Sequence, residues 1–346
     1  MKLLTNKTTR SNTITYAVVV ISFVLLQLWS GAGMSSSLKG MLVPICAYVV
    51  MALSLNLTVG VLGELSLGHA GFMSVGAFTG TTAAMALAQS IPSDGLRLAV
   101  AMVVGALFAA IAGFLIGIPV LRLRGDYLAI VTLAFGEIIK SIFTNLYVGF
   151  DGGLRVSLLS NQTGIADNDL IIRGPMGIGG ITKISTFVAG FVLIMLTLIV
   201  IFNLVNSRSG RAIMALRDNR IAAESVGIPV TKYKMMAFVI SAALAGAAGT
   251  LFGLNYSTVV ANKFDFNTSI LILVFVVLGG QGRMLGSIIA AAALTILPEV
   301  LREFADYRML VYAIVLILVM IFTNNPTIKG FFTRLFSKKQ EGGANQ

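Results

Sequence analysis

The 346-residue chain is apolar and basic: 57% of its residues are hydrophobic, 11% are charged, and its formal net charge is +11. Soluble domains are typically about a quarter charged, so this composition excludes an ordinary soluble protein and predicts a polytopic membrane protein. The positive balance does not indicate nucleic-acid binding, because the basic residues flank apolar runs and no zinc-finger or RNA-binding signature accompanies them. Cys46 is the only cysteine, which excludes an intrachain disulfide and a cysteine-based metal cluster.

Catalytic motifs are absent from the sequence. The only histidine is His69, and neither an HExxH nor a GxSxG pattern occurs, so we predict no catalytic residue, no metal site and no enzymatic activity. The chain also lacks the G-x-x-x-x-G-K-[ST] loop that cradles the phosphates of ATP. We therefore expect it to bind no cofactor itself, and any ATP-driven function requires separate ATP-binding subunits.

Apolar runs divide the chain into ten candidate membrane spans, because a bilayer core about 30 Å thick needs about 20 apolar residues per helix. The runs 268–279 and 286–300 are short and are separated by the glycine-rich sequence GGQGRMLG. Since unpaired backbone groups are costly in lipid, we expect broken or half-spanning helices there, shielded by protein or lining a wet cavity. The sequence thus predicts an all-α polytopic membrane protein with about ten transmembrane helices. The other runs are 14–32, 40–60, 70–90, 97–119, 127–148, 184–205, 233–254 and 308–323.

The distribution of Lys and Arg predicts the orientation of the chain. Basic residues predominate in the N-terminal segment 1–13, in the loop 206–234 and in the tail 324–346, so we expect these segments and both termini in the cytoplasm. The transmembrane domain then covers 14–323. Its segment 149–183 balances basic with acidic residues and is expected on the extracytoplasmic face. The basic residues of the loop are Arg208, Arg211, Arg217, Arg220, Lys232 and Lys234.

Residues 1–30 also fit a cleaved signal peptide, since a basic start precedes an apolar run. We favour a retained helix, because cleavage would place the basic C-terminal tail on the outer face by parity. The first apolar run is therefore counted among the membrane spans.

Residues 221–227, I-A-A-E-S-V-G, carry the most specific pattern of the chain. The small side chains of Ala222 and Ala223 allow a short helix to approach a partner closely. Gly227 is able to adopt the positive φ that ends such a helix, and Pro229 discourages its continuation, so we predict a helix, a turn and a second helix. An ordinary amphipathic surface helix fits the same spacing, so the pattern alone leaves both interpretations open.

With its surroundings, this pattern resembles the coupling loop of ATP-binding-cassette importer permeases, whose core reads E-A-A-x-x-x-G, here with Ile221 in place of the usual Glu. Four segments in family order, covering most of residues 40–325, are similar to the LivM-like permeases of bacterial branched-chain amino acid importers. That collinear order is more specific than any single motif. The segments are LNLTVGVLGELSLGHAGFMSVGAFT at 55–79, GDYLAIVTLAFGEIIK at 125–140, RSGRAIMALRDNRIAAESVGIPVTKYKMMAFVISAALAGAAGTLFG at 208–253 and ILVFVVLGGQGRMLGSIIAAAALTILPEVLR at 272–302.

The resemblance implies a multi-pass permease subunit that moves leucine, isoleucine and valine across the bacterial inner membrane by alternating access. It implies as partners a homologous second permease, two ATP-binding cassette subunits that bind the ATP, and a periplasmic solute-binding protein. Related permeases carry other amino acids, urea or short amides, and segment 149–183 is longer than the compact turn expected in the family, which leaves partner and substrate open. The coupling-loop residues implied are Arg211, Arg217, Arg220, Ala222, Ala223, Glu224 and Gly227, with the arginines as rim contacts to the ATP-binding subunits.

Polar residues inside apolar runs are candidates for the translocation pathway, since an ionisable group at a helix centre costs at least about 2.5 kcal/mol. Glu64, Ser66 and His69 lie in GELSLGHAG, whose glycines favour a discontinuous segment inside the bundle over a lipid-facing helix. The alternative is a structural role for Glu64 and His69 in fixing helix packing. Glu137 is the fourth candidate, although its spacing of three from Lys140 favours an ion pair on one helix face over substrate contact.

A different class of protein, an ATP-independent secondary transporter or channel, stays as an alternative. Such a protein requires residues in the membrane that bind a coupling ion, and Glu64 and Glu137 are few candidates for this role. It also leaves the loop 206–234 unexplained. A membrane-embedded enzyme is disfavoured because the sequence has no paired acids and no metal motif.

Overall fold

Helices dominate the fold. The chain divides into two units, residues 1–292 and residues 293–346, and the architecture described below is that of the first. The structure, a computed structural model, describes residues 7–33, 35–88, 90–123, 125–150, 154–158 and 170–300, with positions 314 and 317.

Within these residues the long apolar helices are those that the composition predicts, and the all-α polytopic architecture is confirmed. Seven helical segments of the described residues are long and apolar enough to cross a membrane. The helices are α1 Lys7–Ala32, α2 Ser36–Asn56, α3 His69–Ala86, α4 Asp94–Val120, α5 Asp126–Thr144, α6 Phe187–Asn206, α7 Arg208–Asp218, α8 Arg220–Ser225, α9 Val230–Gly253, α10 Phe266–Gly279 and α11 Met284–Val300.

The predicted apolar runs coincide with helices up to residue 300. The run 308–323 lies almost wholly outside the described residues, so the count of ten spans and the cytoplasmic termini stay predictions. The short run 268–279 forms α10, whose 14 residues rise about 21 Å, less than the thickness of the bilayer core. α10 is therefore too short to cross the membrane by itself, and it belongs to one of the seven candidate spans only together with the preceding residues, as Ala261–Gly279.

Helices α3, α4 and α9 pack closely and approach each other through small residues. A Cβ atom added to Gly76 of α3 would overlap the backbone of Gly246 in α9, and one added to Gly105 of α4 would overlap the hydroxyl of Thr250. Thr250 Oγ1 in turn donates a hydrogen bond to the carbonyl of Gly76 at 2.9 Å. The small residues of AALAGAAG at 242–249 thus allow close helix packing.

A small antiparallel sheet lies at the end of the bundle where α5 and α9 finish and α6 begins. Its strand order is β2-β1-β3-β4-β5. The side chains of Val148, Ile172 and Ile178 in this sheet are buried. The predicted loop 149–183 thus contains strands, because its short apolar segments pair with each other and with a strand that follows α9. The strands are β1 Leu146–Phe150, β2 Leu154–Leu158, β3 Leu170–Arg173, β4 Ile178–Gly179 and β5 Thr258–Val259.

Two breaks in the helices meet inside the bundle. Helix α2 continues as the π-helical turn Leu57–Leu62 and ends at Gly63, whose φ is +79°. The second break separates α10 from α11, and there the N–H of Gly282 donates to Asn56 Oδ1 at 2.8 Å. Asn56 Nδ2 donates to Ser287 Oγ at 3.0 Å. These bonds pair groups that lipid would leave unpaired, although Gly282 itself is exposed, so the predicted shielding of the break by protein is not complete at this residue.

Candidate coupling surface and translocation pathway

Two short helices, α7 and α8, connect α6 to α9 at the end of the bundle opposite the sheet. The Oγ of Ser207 accepts a hydrogen bond from the N–H of Gly210 at 3.1 Å and begins α7. The Oδ1 of Asn219 accepts from the N–H of Ala222 at 3.0 Å and begins α8. Side-chain oxygens at these positions pair amides that have no partner within the helix. The segment is therefore a pair of capped helices, not an irregular loop.

The turn after α8 is fixed by Gly227. Its φ is +83°, as the sequence predicts, and its N–H donates to the carbonyl of Glu224 at 3.0 Å. The N–H of Ile228 reaches back to the carbonyl of Ala223 at 3.1 Å. These two bonds form a Schellman motif, which ends a helix with a left-handed residue. Pro229 then precedes the first residue of α9.

The two faces of α8 differ in character. Ala223 is buried and packs with Leu216 of α7 and Val230 of α9, which holds the short helix against its neighbours. Ile221 and Val226 point outward and are 80% and 75% exposed. The expectation that the small pair Ala222 and Ala223 faces a partner together is wrong for Ala223, because successive helical positions lie about 100° apart. Ala222 is exposed with the two large apolar side chains.

The arginines of this region are engaged with their own chain to different degrees. Arg220 Nε donates to Glu224 Oε1 at 2.9 Å, one helical turn further on. Arg217 Nη2 donates to Asp218 Oδ1 at 3.2 Å. Arg211 is exposed and makes one long bond to the carbonyl of Asn206 at 3.4 Å. Arg211 is thus the freest of the three to meet a partner.

Two contacts connect this surface to the break after α2. Arg217 Nη1 donates to the carbonyl of Gly60 at 2.8 Å, and the stem of Arg217 covers Gly63, where a Cβ atom would overlap it. Lys234 Nζ, in the first turns of α9, forms an ion pair with Glu64 Oε1. From the sequence, Lys234 is expected among the basic residues of the loop. In the structure Lys234 lies in α9, after the turn, and its side chain is only 5% exposed because it enters the bundle.

The polar residues of the segment between Gly63 and α3 are enclosed by the bundle. Glu64 is held by its ion pair, and its side chain is 14% exposed. His69 is buried, and its Nε2 lies 2.8 Å from Ser54 Oγ. Ser66 Oγ is buried and has no hydrogen-bond partner among the described residues. The discontinuous segment that the glycines predict therefore forms, with its side chains turned inward.

Glu137 has different surroundings, since its side chain is 41% exposed on α5. Its Oε2 accepts a bond from Lys140 Nζ at 3.0 Å, the ion pair that the spacing predicts, and its Oε1 accepts from the N–H of Phe266 at 3.2 Å. An open groove of about 480 Å³ lies beside it. The groove is lined by Glu137, Ile138, Ser141, Ile142, Asn145 and Leu158.

Several residues of these sites carried no signal in the sequence. Asn56 lies in a long apolar run, and only its contact with the distant Gly282 shows that it joins the two breaks. Leu158 reaches the groove because β2 folds back along β1. The outward position of Ile221 and Val226 could be assigned only from the structure, in which the buried Ala223 shows which side of α8 faces its neighbours. Each of these assignments depends on contacts between residues far apart in sequence or on helix orientation.

Comparisons with known proteins agree with this architecture. Residues 37–321 match the family described as branched-chain amino acid transport system / permease component. The high-affinity branched-chain amino acid transport system permease protein LivM is 39% identical in Salmonella typhimurium and 38% identical in Escherichia coli, over 287 residues in each case. These matches cover 79% of this chain and 66% of each relative, so the chain spans slightly less than two thirds of their length.

The permease protein LivH of Escherichia coli is 26% identical over 306 residues, which cover 86% of this chain and 93% of LivH. No solved structure gives a significant match. The family match covers most of the chain, from the start of α2 past the end of α11. This chain therefore belongs to the family of permease components of branched-chain amino acid transport systems.

Proposed function

We propose that this chain is the transmembrane permease subunit of an ATP-driven importer of branched-chain amino acids in the bacterial inner membrane. The names of its LivM relatives support the substrate class, and its apolar helices support a multi-pass subunit. In this proposal the chain performs no catalysis and holds no cofactor. Partner subunits bind and hydrolyse the ATP, and the chain converts their movement into alternating access.

The observation on which this proposal mainly depends is the exposed side of α8. Ile221 and Val226 are large apolar side chains, yet they are 80% and 75% exposed on a helix that Ala223 and the Gly227 turn hold in place. Large apolar side chains that are exposed beside charged residues are typical of protein interaction sites. The exposed Arg211 supplies a rim charge that favours association with an acidic partner. An ATP-binding cassette subunit on the cytoplasmic side is the partner that fits.

A route for mechanical coupling follows from the contacts behind α8. Movement of α7 reaches the π-helical turn through Arg217 and the carbonyl of Gly60, and movement of α9 reaches the α3 side of the break through Lys234 and Glu64. Broken helices in transporters are typically the elements that rearrange between access states. Glu64 thus acts in this proposal as a coupling residue and not as a substrate contact.

The remaining partners follow from the family and from the two ends of the bundle. A homologous second permease is supported by the 26% identity of this chain to LivH, since paired permeases of one family share a fold. A periplasmic solute-binding protein would dock at the end that carries the sheet, opposite α7 and α8. Of the four pathway candidates, Glu137 lies on an open face, whereas Glu64, Ser66 and His69 are enclosed.

Leucine uptake in cells that lack this chain tests the proposal. Wild type should restore uptake, whereas Gly227→Pro should not, because proline fixes φ near −65° and this turn has a φ of +83°. Gly95→Pro is the matched control, since Gly95 lies in the first turn of α4 with open space around it, where proline is tolerated. Both variants are checked for membrane insertion.

Each outcome of that test has a distinct meaning. Uptake by both proline variants would contradict a coupling role for the turn. Unchanged leucine uptake in the deletion strain, with a loss of urea or short-amide uptake, would move the substrate to the alternative class. Leucine uptake that persists after depletion of cellular ATP would indicate the alternative of a secondary transporter or channel.

A further inference from the structure

The exposed face of α5 is apolar near its start and carries polar residues near its end. Tyr127 and Ile130 are exposed near its start, and Ile138, Ser141 and Asn145 follow on the same side at helical spacing, with Ser141 exposed and Asn145 partly so. The Asn145 amide donates to the carbonyl of Ser141 at 2.8 Å and both Glu137 oxygens accept hydrogen bonds, yet an exposed hydroxyl, amide and carboxylate are costly against lipid. The polar end of this face is therefore suited to a water-filled pathway or to a second protein, and not to hydrocarbon.

The polar half of this face lies at the end of the bundle that carries the sheet. Helix α5 ends at Thr144, β1 begins at Leu146, and Leu158 of β2 forms part of the groove wall. The groove volume of about 480 Å³ lies within the range of about 300–1,000 Å³ that is usual for small-molecule sites. Its position is where a substrate released by a periplasmic binding protein would first meet this chain.

Glu137 is the charged residue of the groove lining, and its ion-pair partner Lys140 lies beside the groove, outside the lining. The Glu137 carboxylate and the Lys140 ammonium lie 3.0 Å apart, with 41% and 24% of their side chains exposed. Ser141 and Asn145 add hydrogen-bonding groups, while Ile138 and Ile142 add apolar surface. An amino acid zwitterion presents the complementary set: an ammonium, a carboxylate and, for the branched-chain members, an apolar side chain.

We propose that the groove beside Glu137 is an entry site for the amino acid on this subunit, with Glu137 receiving its ammonium group and Lys140 its carboxylate. This inference rests on the proposed function and names the residues that meet its substrate. Ile138, Ile142 and Leu158 contact the branched side chain. Because the pair is neutral overall, a zwitterion leaves no net charge in the groove, whereas lysine or glutamate would leave one uncompensated.

A purely structural role for Glu137 makes a different prediction. Its Oε1 accepts the N–H of Phe266 at the start of α10, so Glu137 also anchors that short helix. Glu137→Gln keeps an amide oxygen for this bond and removes only the negative charge. A structural role predicts little change in Glu137→Gln, whereas an entry site predicts weaker leucine binding with the groove otherwise unchanged.

Thiol labelling of the assembled transporter in lipid nanodiscs distinguishes these cases. Ile142→Cys places a thiol in the groove, and Cys46, the only native cysteine, is buried and supplies an unreactive background. A water-soluble maleimide should label Ile142→Cys at least about tenfold faster than Ile111→Cys, because thiolates form in water and not in lipid. Ile111 is the control, since it is 48% exposed on the apolar helix α4.

Leucine alone, added without binding protein, is the probe. It should slow labelling of Ile142→Cys several-fold, while lysine, glutamate and urea should not. Adding Glu137→Gln or Lys140→Met should raise the half-protecting leucine concentration at least about tenfold, relative to the labelling rate of each variant without leucine. Labelling as slow as that of Ile111→Cys, or no protection by leucine, would overturn the entry site.

The same preparation separates the two proposals. If wild type with its partners transports leucine but leucine does not protect Ile142→Cys, the entry site is wrong and the importer function stands. If the wild-type complex transports no leucine, the proposed function fails and the entry site for branched-chain amino acids fails with it.

Discussion

Among the described residues of the membrane domain, two Glu–Lys pairs have opposite surroundings. Glu64 and Lys234 join the break after α2 to the start of α9, with side chains 14% and 5% exposed. Glu137 and Lys140 lie one turn apart on α5, with side chains 41% and 24% exposed. The same two residue types thus form a closed link near the coupling surface and an open pair near the sheet. The difference between the closed link and the open pair is therefore one of burial and not of residue type.

The energetic difference between the pairs follows from solvation. A buried ion pair leaves an uncompensated charge when one partner is removed, and that charge is expensive in a low-dielectric interior. An exposed pair is screened by water, so the loss of one partner changes stability little. Single substitutions at and around each pair should therefore differ in their effects on stability.

The largest effect is expected at the closed pair. Lys234→Met should lower the free energy of unfolding by about 3–5 kcal/mol, because the Glu64 carboxylate is left buried without its partner. Lys140→Met, the matched substitution at the open pair, should lower it by about 1 kcal/mol or less. Chemical denaturation of the two purified variants measures the difference. Equal losses would show that the pairs are not distinguished by burial.

Asn56→Leu should give the next largest effect, because it removes the acceptor of the part-buried Gly282 N–H bond and the donor to the buried Ser287 Oγ. Each unsatisfied buried group costs about 1–3 kcal/mol. Asn203→Leu is the control, since Asn203 is exposed on α6. Unfolding measurements should show a loss for Asn56→Leu alone. A neutral Asn56→Leu would mean that the two breaks are held together by other contacts.

Gly227→Ala should have a smaller effect, confined to the turn after α8. A side chain in left-handed backbone costs about 1–2 kcal/mol, and the position is otherwise open, with no atom in the way of a Cβ. Gly95→Ala, at another open glycine without positive φ, should be neutral or slightly stabilising. Denaturation curves of the two variants test this ordering, which would be refuted if Gly227→Ala were as stable as wild type.

Arg220→Ala should have the smallest effect on stability, about 0.3–0.5 kcal/mol, because its ion pair with Glu224 lies on the surface of one helix. A change in the association rate with the ATP-binding subunit is expected instead, since charges at the rim of an interface mainly affect the encounter. Stopped-flow association at low and high salt measures it. An unchanged association rate at low salt would show that Arg220 is not part of the interface.

The sequence was sufficient for the helices and for the positive φ of Gly227, because hydrophobic run length and glycine geometry are local properties. It also predicted the Glu137 and Lys140 pair from their spacing on one helix. It did not reveal that Lys234 enters the bundle to meet Glu64, since that contact joins residues 170 positions apart. Nor did it reveal strands in 149–183, whose pairing depends partly on β5, a distant strand.

Val226→Asp tests whether the exposed side of α8 and its turn meets the ATP-binding subunits. A charge at this outward apolar position should abolish both leucine uptake and co-purification of the ATP-binding subunits, with the chain still inserted in the membrane. Ser225→Asp, an adjacent exposed position without a large apolar side chain, should retain most of both activities. Leucine uptake by Val226→Asp at the wild-type rate would contradict the account.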